Sequence, residues 1–230
     1  MGGQDKKVDT DDSAFRIPRS AFAAPRSAFS FRAIVIGGSA GGFEALKVIL
    51  SALPVDFSLP ILAVQHLHSA DDGLFAQHLR SISRLAVVTP CDKEQIHPGC
   101  VYVAPANYHM LVEKNGTIAL SIDEKVNWSR PSIDVLFESA AYAWGKRVIA
   151  IILSGANDDG TNGMRTVKRA GGLTIAQEPA GAEFPLMPQA AINAGVVNEI
   201  LSLAQIGNRL IELGTRKIEN AERGSRNGER

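Results

Sequence analysis

Ala33-Ile34-Val35-Ile36-Gly37-Gly38-Ser39-Ala40-Gly41-Gly42 decides how the rest of the chain is read. Its first four residues are apolar and three are β-branched, which suits a buried strand. A glycine-rich turn follows. Beyond it Leu46, Ile49, Leu50 and Leu53 recur at i, i+3, i+4 and i+7, the helical period. Strand, glycine turn and helix in immediate succession open an α/β unit, and the pattern repeats downstream. Strand-like runs occupy 60–64, 86–89, 101–104, 148–153, 173–176 and 196–200. One helical stripe is Phe75, His78, Leu79 and Ile82, with Asp71 or Asp72 as its N-cap. Another is Ile133, Leu136, Phe137, Ala140 and Trp144, with Pro131 at the first helical position. A third helix stops at Gly171-Gly172, a fourth lies near 187–194, and the last has Ser202 and Gln205 as a capping box and Gly214 just past its end. Asn115-Gly116 predicts a hairpin. Strands that are apolar throughout belong to a parallel sheet covered on both faces, and crossover handedness favours a doubly wound order. The expected fold class is α/β: a doubly wound, mostly parallel sheet with helices on both faces, in one domain over 32–213.

The rest of the 230 residues bounds the answer. Twenty-four basic side chains balance 24 acidic ones, so the basic excess needed for nucleic acid or an anionic membrane surface is missing, and no nucleic-acid partner is expected. Hydrophobic residues make up 45% and charged ones 21%, a globular balance. No apolar run nears the roughly 18 residues of a membrane span, so no membrane insertion is expected. Ala21–Ala24 is too short for a secretory signal, and the expected compartment is the cytoplasm. Cys91 and Cys100 stand outside any CxxC or Cys/His cluster and read as plain thiols. Residues 1–31 repeat Ser-Ala-Phe at Ser13, Ser20 and Ser27 between prolines that forbid a coiled coil. They read as a low-complexity tail, with a docking segment built on Phe15, Phe22 and Phe29 as the alternative. Residues 214–230 read as a polar C-terminal tail.

In doubly wound sheets, ligands bind beyond the carboxyl ends of the strands. Three of the predicted ends carry reactive groups: Ser39, His66 after Gln65, and the pair Asp158-Asp159. A dinucleotide loop fails because Ser39 takes the place of its second glycine, and a P-loop fails because Phe43 stands where lysine is needed. Gly37-Gly38-Ser39-Ala40-Gly41 does fit Gly-x-Ser-x-Gly between strand and helix, the nucleophile elbow. Its small neighbours allow a sharp turn, and free N–H groups at the helix start can hold an oxyanion. The competing reading is a glycine turn that holds phosphate by backbone alone. His66 abuts a core strand and suits a general base. His68, His78, His97 and His109 fall in a loop, on an apolar helical stripe as a packed side chain, before Pro98-Gly99, and at the hairpin. One of the two aspartates would face the cleft and orient the imidazole, and the other would cap the following helix; spacing does not choose. The order Ser, His, Asp also differs from the Ser, Asp, His of ordinary α/β-hydrolases.

Several separated blocks, in order, carry a resemblance. They are Ile36-Gly37-Gly38-Ser39-Ala40-Gly41-Gly42, Gln65-His66, Tyr102-Val103-Ala104-Pro105 with His109-Met110, and Arg130-Pro131-Ser132-Ile133-Asp134-Val135-Leu136-Phe137. Leu153-Ser154-Gly155 through Asp159-Gly160, Gly163-Met164, Met187-Pro188 and Ala191-Ile192 complete them. Over about residues 33–213 the chain resembles the catalytic domain of CheB-type chemotaxis protein-glutamate methylesterases. That resemblance implies a serine hydrolase that cleaves glutamyl methyl esters on the cytoplasmic helices of methylated chemoreceptors, with glutamine deamidation as a second activity of some members. It implies Ser39 as nucleophile, His66 as base and Asp159 as acid, the last because the family's acid directly precedes glycine. No metal or organic cofactor is implied.

This sequence departs from the family pattern in three places. Ala40 stands where threonine is usual, so a hydroxyl is lost while the backbone N–H stays. Ala156 stands where methionine is frequent. Typical members carry a receiver domain ahead of the esterase, and about thirty residues of a different character precede it here. Covering of the site in cis is therefore not expected, and the enzyme would be constitutively open or governed by a regulator in trans. The alternatives to a receptor methylesterase are a Ser-His-Asp esterase for a different protein or small ester, and a non-catalytic module that binds receptor-like helices.

Overall fold

The computed structural model describes residues 31–215; the Ser-Ala-Phe repeats and the polar end from 216 lie outside the described residues. Nine strands and six α-helices are present among those described. The first strand, β1 (Ala33–Gly38), runs through the glycine turn into α1 (Gly42–Ala52). Then come β2 (Ile61–Gln65), α2 (Leu74–Ile82), β3 (Ala86–Val88) and β4 (Cys100–Val103). A hairpin of β5 (His109–Val112) and β6 (Ile118–Ser121) turns at Asn115-Gly116 as expected. The second half contains α3 (Ile133–Trp144), β7 (Val148–Ile152), α4 (Thr161–Arg169), β8 (Leu173–Gln177), α5 (Leu186–Asn193), β9 (Glu199–Leu201) and α6 (Leu203–Thr215).

The main sheet has seven strands in the order β3-β4-β2-β1-β7-β8-β9, and all its pairings are parallel. The chain starts at the centre, winds outward through β2, and returns to the other side of β1 with β7. The switch point therefore lies between β1 and β7, where such sheets bind ligands. The strands are apolar throughout because alternate residues face two cores. Ile34, Ile36, Ile61, Ala63, Ile149 and Ile151 pack under α1, α2 and α6. Ala33, Val35, Leu62, Val64, Val148 and Ala150 pack under α3, α4, α5 and the hairpin.

Several local expectations shift. Asp71 does not cap α2: the cap is Gly73, with φ 102°, and Asp71 Oδ1 accepts the Gly73 N–H at 2.7 Å in a turn just before it. Helix α3 begins at Ile133 behind Ser132, so Pro131 precedes the helix instead of opening it. The last strand lies at the end of the expected window, and Gly214 falls inside α6, where a Cβ would press on the Phe57 ring. His78 is exposed and touches Phe43 only edge-on, so it is not a packed core side chain. The Ser202–Gln205 capping box is present, at 2.9 Å and 3.4 Å.

Candidate active site

Ser39 and His66 leave the sheet side by side. Gly38 and Gln65 are register partners on neighbouring strands, and the two residues follow them directly. Strands in a sheet are about 4.8 Å apart, and the His66 N–H donates to the Gly38 carbonyl at 3.1 Å. Asp159 arrives from the other side of β1, in the loop after β7. Its Oδ2 accepts a 2.8 Å bond from His66 Nε2. The imidazole thus turns Nε2 to Asp159, and Nδ1 takes no part in that bond. Of the two adjacent aspartates, Asp159 is fully buried and Asp158 is exposed. The expectation that the other would cap the following helix fails, since the N-cap of α4 is Gly160, with φ 95°, and no side chain caps it.

Asp159 caps a different helix. Its Oδ2 also accepts the Ile133 N–H at 2.8 Å, and its Oδ1 accepts from the Ser132 hydroxyl at 2.9 Å and the Asp134 N–H at 3.2 Å. Asn127 Nδ2 donates to the same Oδ1 at 2.7 Å. The carboxylate sits at the N-terminus of α3, where unpaired N–H groups and the helix dipole favour negative charge. Burial pushes its pKa up, but the bonds from His66, Asn127 and Ile133 outweigh burial and hold the carboxyl below its ordinary value. Asp134 shows the reverse. It too is buried, and that burial, together with the nearby Asp159 charge, raises its pKa although Gly163 N–H and Asn127 Nδ2 bond to it at 2.7 and 2.8 Å. Asn127 therefore divides its amide between two carboxylates.

The glycine turn is built for close approach. Gly41 takes φ 76°, which only glycine adopts without strain, and a Cβ there would meet Ser154 Oγ at 2.6 Å. A Cβ on Gly42 would overlap the Gln65 amide oxygen. Gln65 Nε2 donates to the Ser39 carbonyl at 2.6 Å. The Ser39 N–H is taken by the Ser154 carbonyl at 2.9 Å, and the Gly42 N–H by the Ser39 carbonyl at 2.8 Å. The hydrogen bonds of the turn leave the N–H groups of Ala40 and Gly41, at the start of α1, without a partner among the described residues. Ser154 Oγ donates to the Ala40 carbonyl at 2.7 Å and accepts the Phe184 N–H at 2.9 Å, which ties the turn to the loop after β8. Sequence reasoning singled out Ser39, His66 and the aspartate pair as candidates but passed over Asn127 and the tying contacts of Gln65 and Ser154.

The family model described as CheB methylesterase matches residues 34–210. The chain belongs to the CheB methylesterase family. Among its relatives is a Leptospira interrogans protein, 46% identical over 190 residues, covering 83% of this chain and 98% of that one; it is named, provisionally, protein-glutamate methylesterase/protein-glutamine glutaminase. Proteins of Geobacter metallireducens and Bordetella parapertussis carry that name outright, at 42% and 40% identity. This chain covers 50% and 55% of those two proteins, which are about twice as long as the matched region. The crystal structure of the Thermotoga maritima CheB methylesterase catalytic domain superposes with a TM-score of 0.76 at 35% identity, covering 80% of this chain and 98% of that one. No described helix is long and apolar enough to cross a membrane. Ala40 lies in the glycine turn with its backbone oxygen held by Ser154, and Ala156 is exposed in the loop that leads to Asp159.

Proposed function

We propose that this protein is a protein-glutamate methylesterase that demethylates the cytoplasmic helices of chemoreceptors, with Ser39 as nucleophile, His66 as general base and Asp159 as the acid that orients it. The His66 Nε2–Asp159 Oδ2 bond of 2.8 Å, beside a serine one residue beyond the register pair Gly38–Gln65, carries this reading. His66 Nδ1 takes the Ser39 proton as Oγ attacks the ester carbonyl. The negative charge that develops on the carbonyl oxygen is met by backbone N–H groups at the start of α1, those of Ala40 and Gly41 having no partner among the described residues. The imidazolium returns the proton to the departing methoxide, methanol leaves, and Ser39 holds the glutamyl group as an ester. Water, deprotonated by the same ring, then attacks this acyl-enzyme; Ser39 leaves with the proton and glutamate is released. Asp159 keeps the ring in the tautomer that has its proton on Nε2 and stabilises its cation. A glutamine side chain run through the same steps would release ammonia, which accounts for the second activity in the relatives' names.

The reaction requires only these side chains and N–H groups. The setting proposed for it is the cytoplasmic face of the receptors. Methanol release from methylated receptors tests the reading. Ser39→Ala, His66→Ala and Asp159→Ala should each lower kcat by roughly a thousandfold or more. Wild-type rates in the Ser39→Ala variant would remove the serine mechanism. Release from small esters but from no receptor would favour an esterase of different substrate.

A further inference from the structure

The loop between β6 and α3 carries an unusual turn. Val126 and Ser129 exchange both backbone bonds, at 3.2 and 3.0 Å, so Asn127 and Trp128 fill the two central positions of a tight hairpin. Both have positive φ, 51° and 61°. Asn tolerates that region, but a bulky side chain such as Trp is strained there. The two side chains also part company. Asn127 reaches inward to Asp159 and Asp134. Trp128 is 94% exposed, and Ile122 on the same loop is 70% exposed. Arg130 Nη1 closes the base of the loop on the Ile122 and Asp123 carbonyls, at 2.5 and 2.8 Å.

A second strongly exposed aromatic among the described residues is placed differently. Tyr142, 78% exposed, has Lys114 Nζ 4.4 Å over its ring. Trp128 makes no ring or cation contact among the described residues. A strained backbone and a bare indole are both unfavourable for the isolated protein. They persist because Asn127 fixes the turn to the Asp159 carboxylate. Strain held in place beside a reactive group points to use of that turn, and an exposed large apolar side chain points to contact with a partner.

We infer that the Val126–Ser129 turn is a docking element for the protein substrate, with Trp128 contacting the receptor helix that bears the scissile ester and Asn127 fixing the turn to the site. The occupant follows from continuity with the site and rests on the reading proposed above. Trp128 is the neighbour of a residue bonded directly to Asp159. A helix with its side chains is about 10–12 Å across. One that offers a glutamyl ester to Ser39 covers the adjoining rim as well. An indole suits that surface, since it lies against aliphatic stems and takes cationic heads on its face.

The test compares two substrates, a methylated receptor cytoplasmic fragment assayed by methanol release and p-nitrophenyl acetate, which has no helix to dock. Trp128→Ala should raise KM for the receptor about tenfold, the size of loss expected of a buried tryptophan anchor. Its kcat and its rate on p-nitrophenyl acetate should stay within twofold of wild type, and Trp128→Phe should recover most of the affinity. Trp128→Gly separates contact from fold, because it relieves the strained φ: Tm should hold or rise while the receptor KM still climbs. An unchanged receptor KM in Trp128→Ala, or equal losses on both substrates with a lowered Tm, overturns the docking role. A wild type that hydrolyses p-nitrophenyl acetate but frees no methanol from receptors overturns the substrate reading, and the docking role with it.

Discussion

The two sides of β1 treat hydrogen bonding in opposite ways. On the β7 side, around Asp159, both carboxylate oxygens are fully engaged by a ring nitrogen, an amide, a hydroxyl and two backbone N–H groups. On the β2 side, around Ser39, the bonds are drawn to the serine's own peptide group and leave the next two N–H groups without partners among the described residues. Asp159 is therefore held in one orientation, as the ring-orienting role proposed for it requires. The glycine turn is braced from beneath, and in the mechanism proposed above its two free N–H groups would meet the developing charge. A buried group with every bond made is rigid and costly to disturb; an unpaired N–H at a helix start is a ready anion site.

The largest effect on stability should come from breaking the saturated side. Asp159→Ala strips the acceptor from five donors, two of them the N–H groups at the start of α3, and should cost about 3 kcal/mol or more in urea unfolding. The difference from wild type should also depend on pH. The folded carboxyl holds its proton less tightly than the unfolded one, so its contribution is complete above the ordinary carboxylate value of about 4 and fades as pH falls through the lower folded value. A gap that stays constant down to strongly acidic pH would mean that the bonds to Asp159 do not set its charge. A smaller loss is expected on the other side. Gly42→Ala drives a methyl into the Gln65 amide oxygen, and overpacking of this kind costs about 1–3 kcal/mol. Because Gln65 braces the Ser39 carbonyl, kcat should fall in that variant while His66 and Asp159 are untouched. Smallest is Ser154→Ala, which frees the Ala40 carbonyl and the Phe184 N–H and should cost about 1 kcal/mol. Its sharper use is kinetic, since unaltered turnover would show that the turn holds its shape without the tie to the loop after β8.

Much of the architecture was legible because it rests on short-range pattern. Continuous apolar runs such as 148–153 announced strands buried on both faces, and the glycines after Ile36 announced a tight strand-to-helix turn. The register that sets Ser39 beside His66 follows from that topology. Elsewhere local signals misled. Pro131 looked like a helix start because no nearby residue could reveal that the first turn of α3 is capped from Asp159, more than twenty residues away in the chain. The same remote bond explains why spacing could not choose between Asp158 and Asp159, and why the family likeness had to. Asn127 was invisible. It lies in a polar stretch without periodicity, and its importance arises from two carboxylates that the fold brings to it. Gly214 was taken for a stop signal, yet it sits inside α6 because the Phe57 ring needs the space.

The capping of α3 by Asp159 has a practical corollary. The amide proton of Ile133 is buried in a bond to the very oxygen that also receives the imidazole. Its exchange with deuterium therefore serves as a built-in gauge of whether the reactive centre is assembled, readable on resting protein with no substrate added.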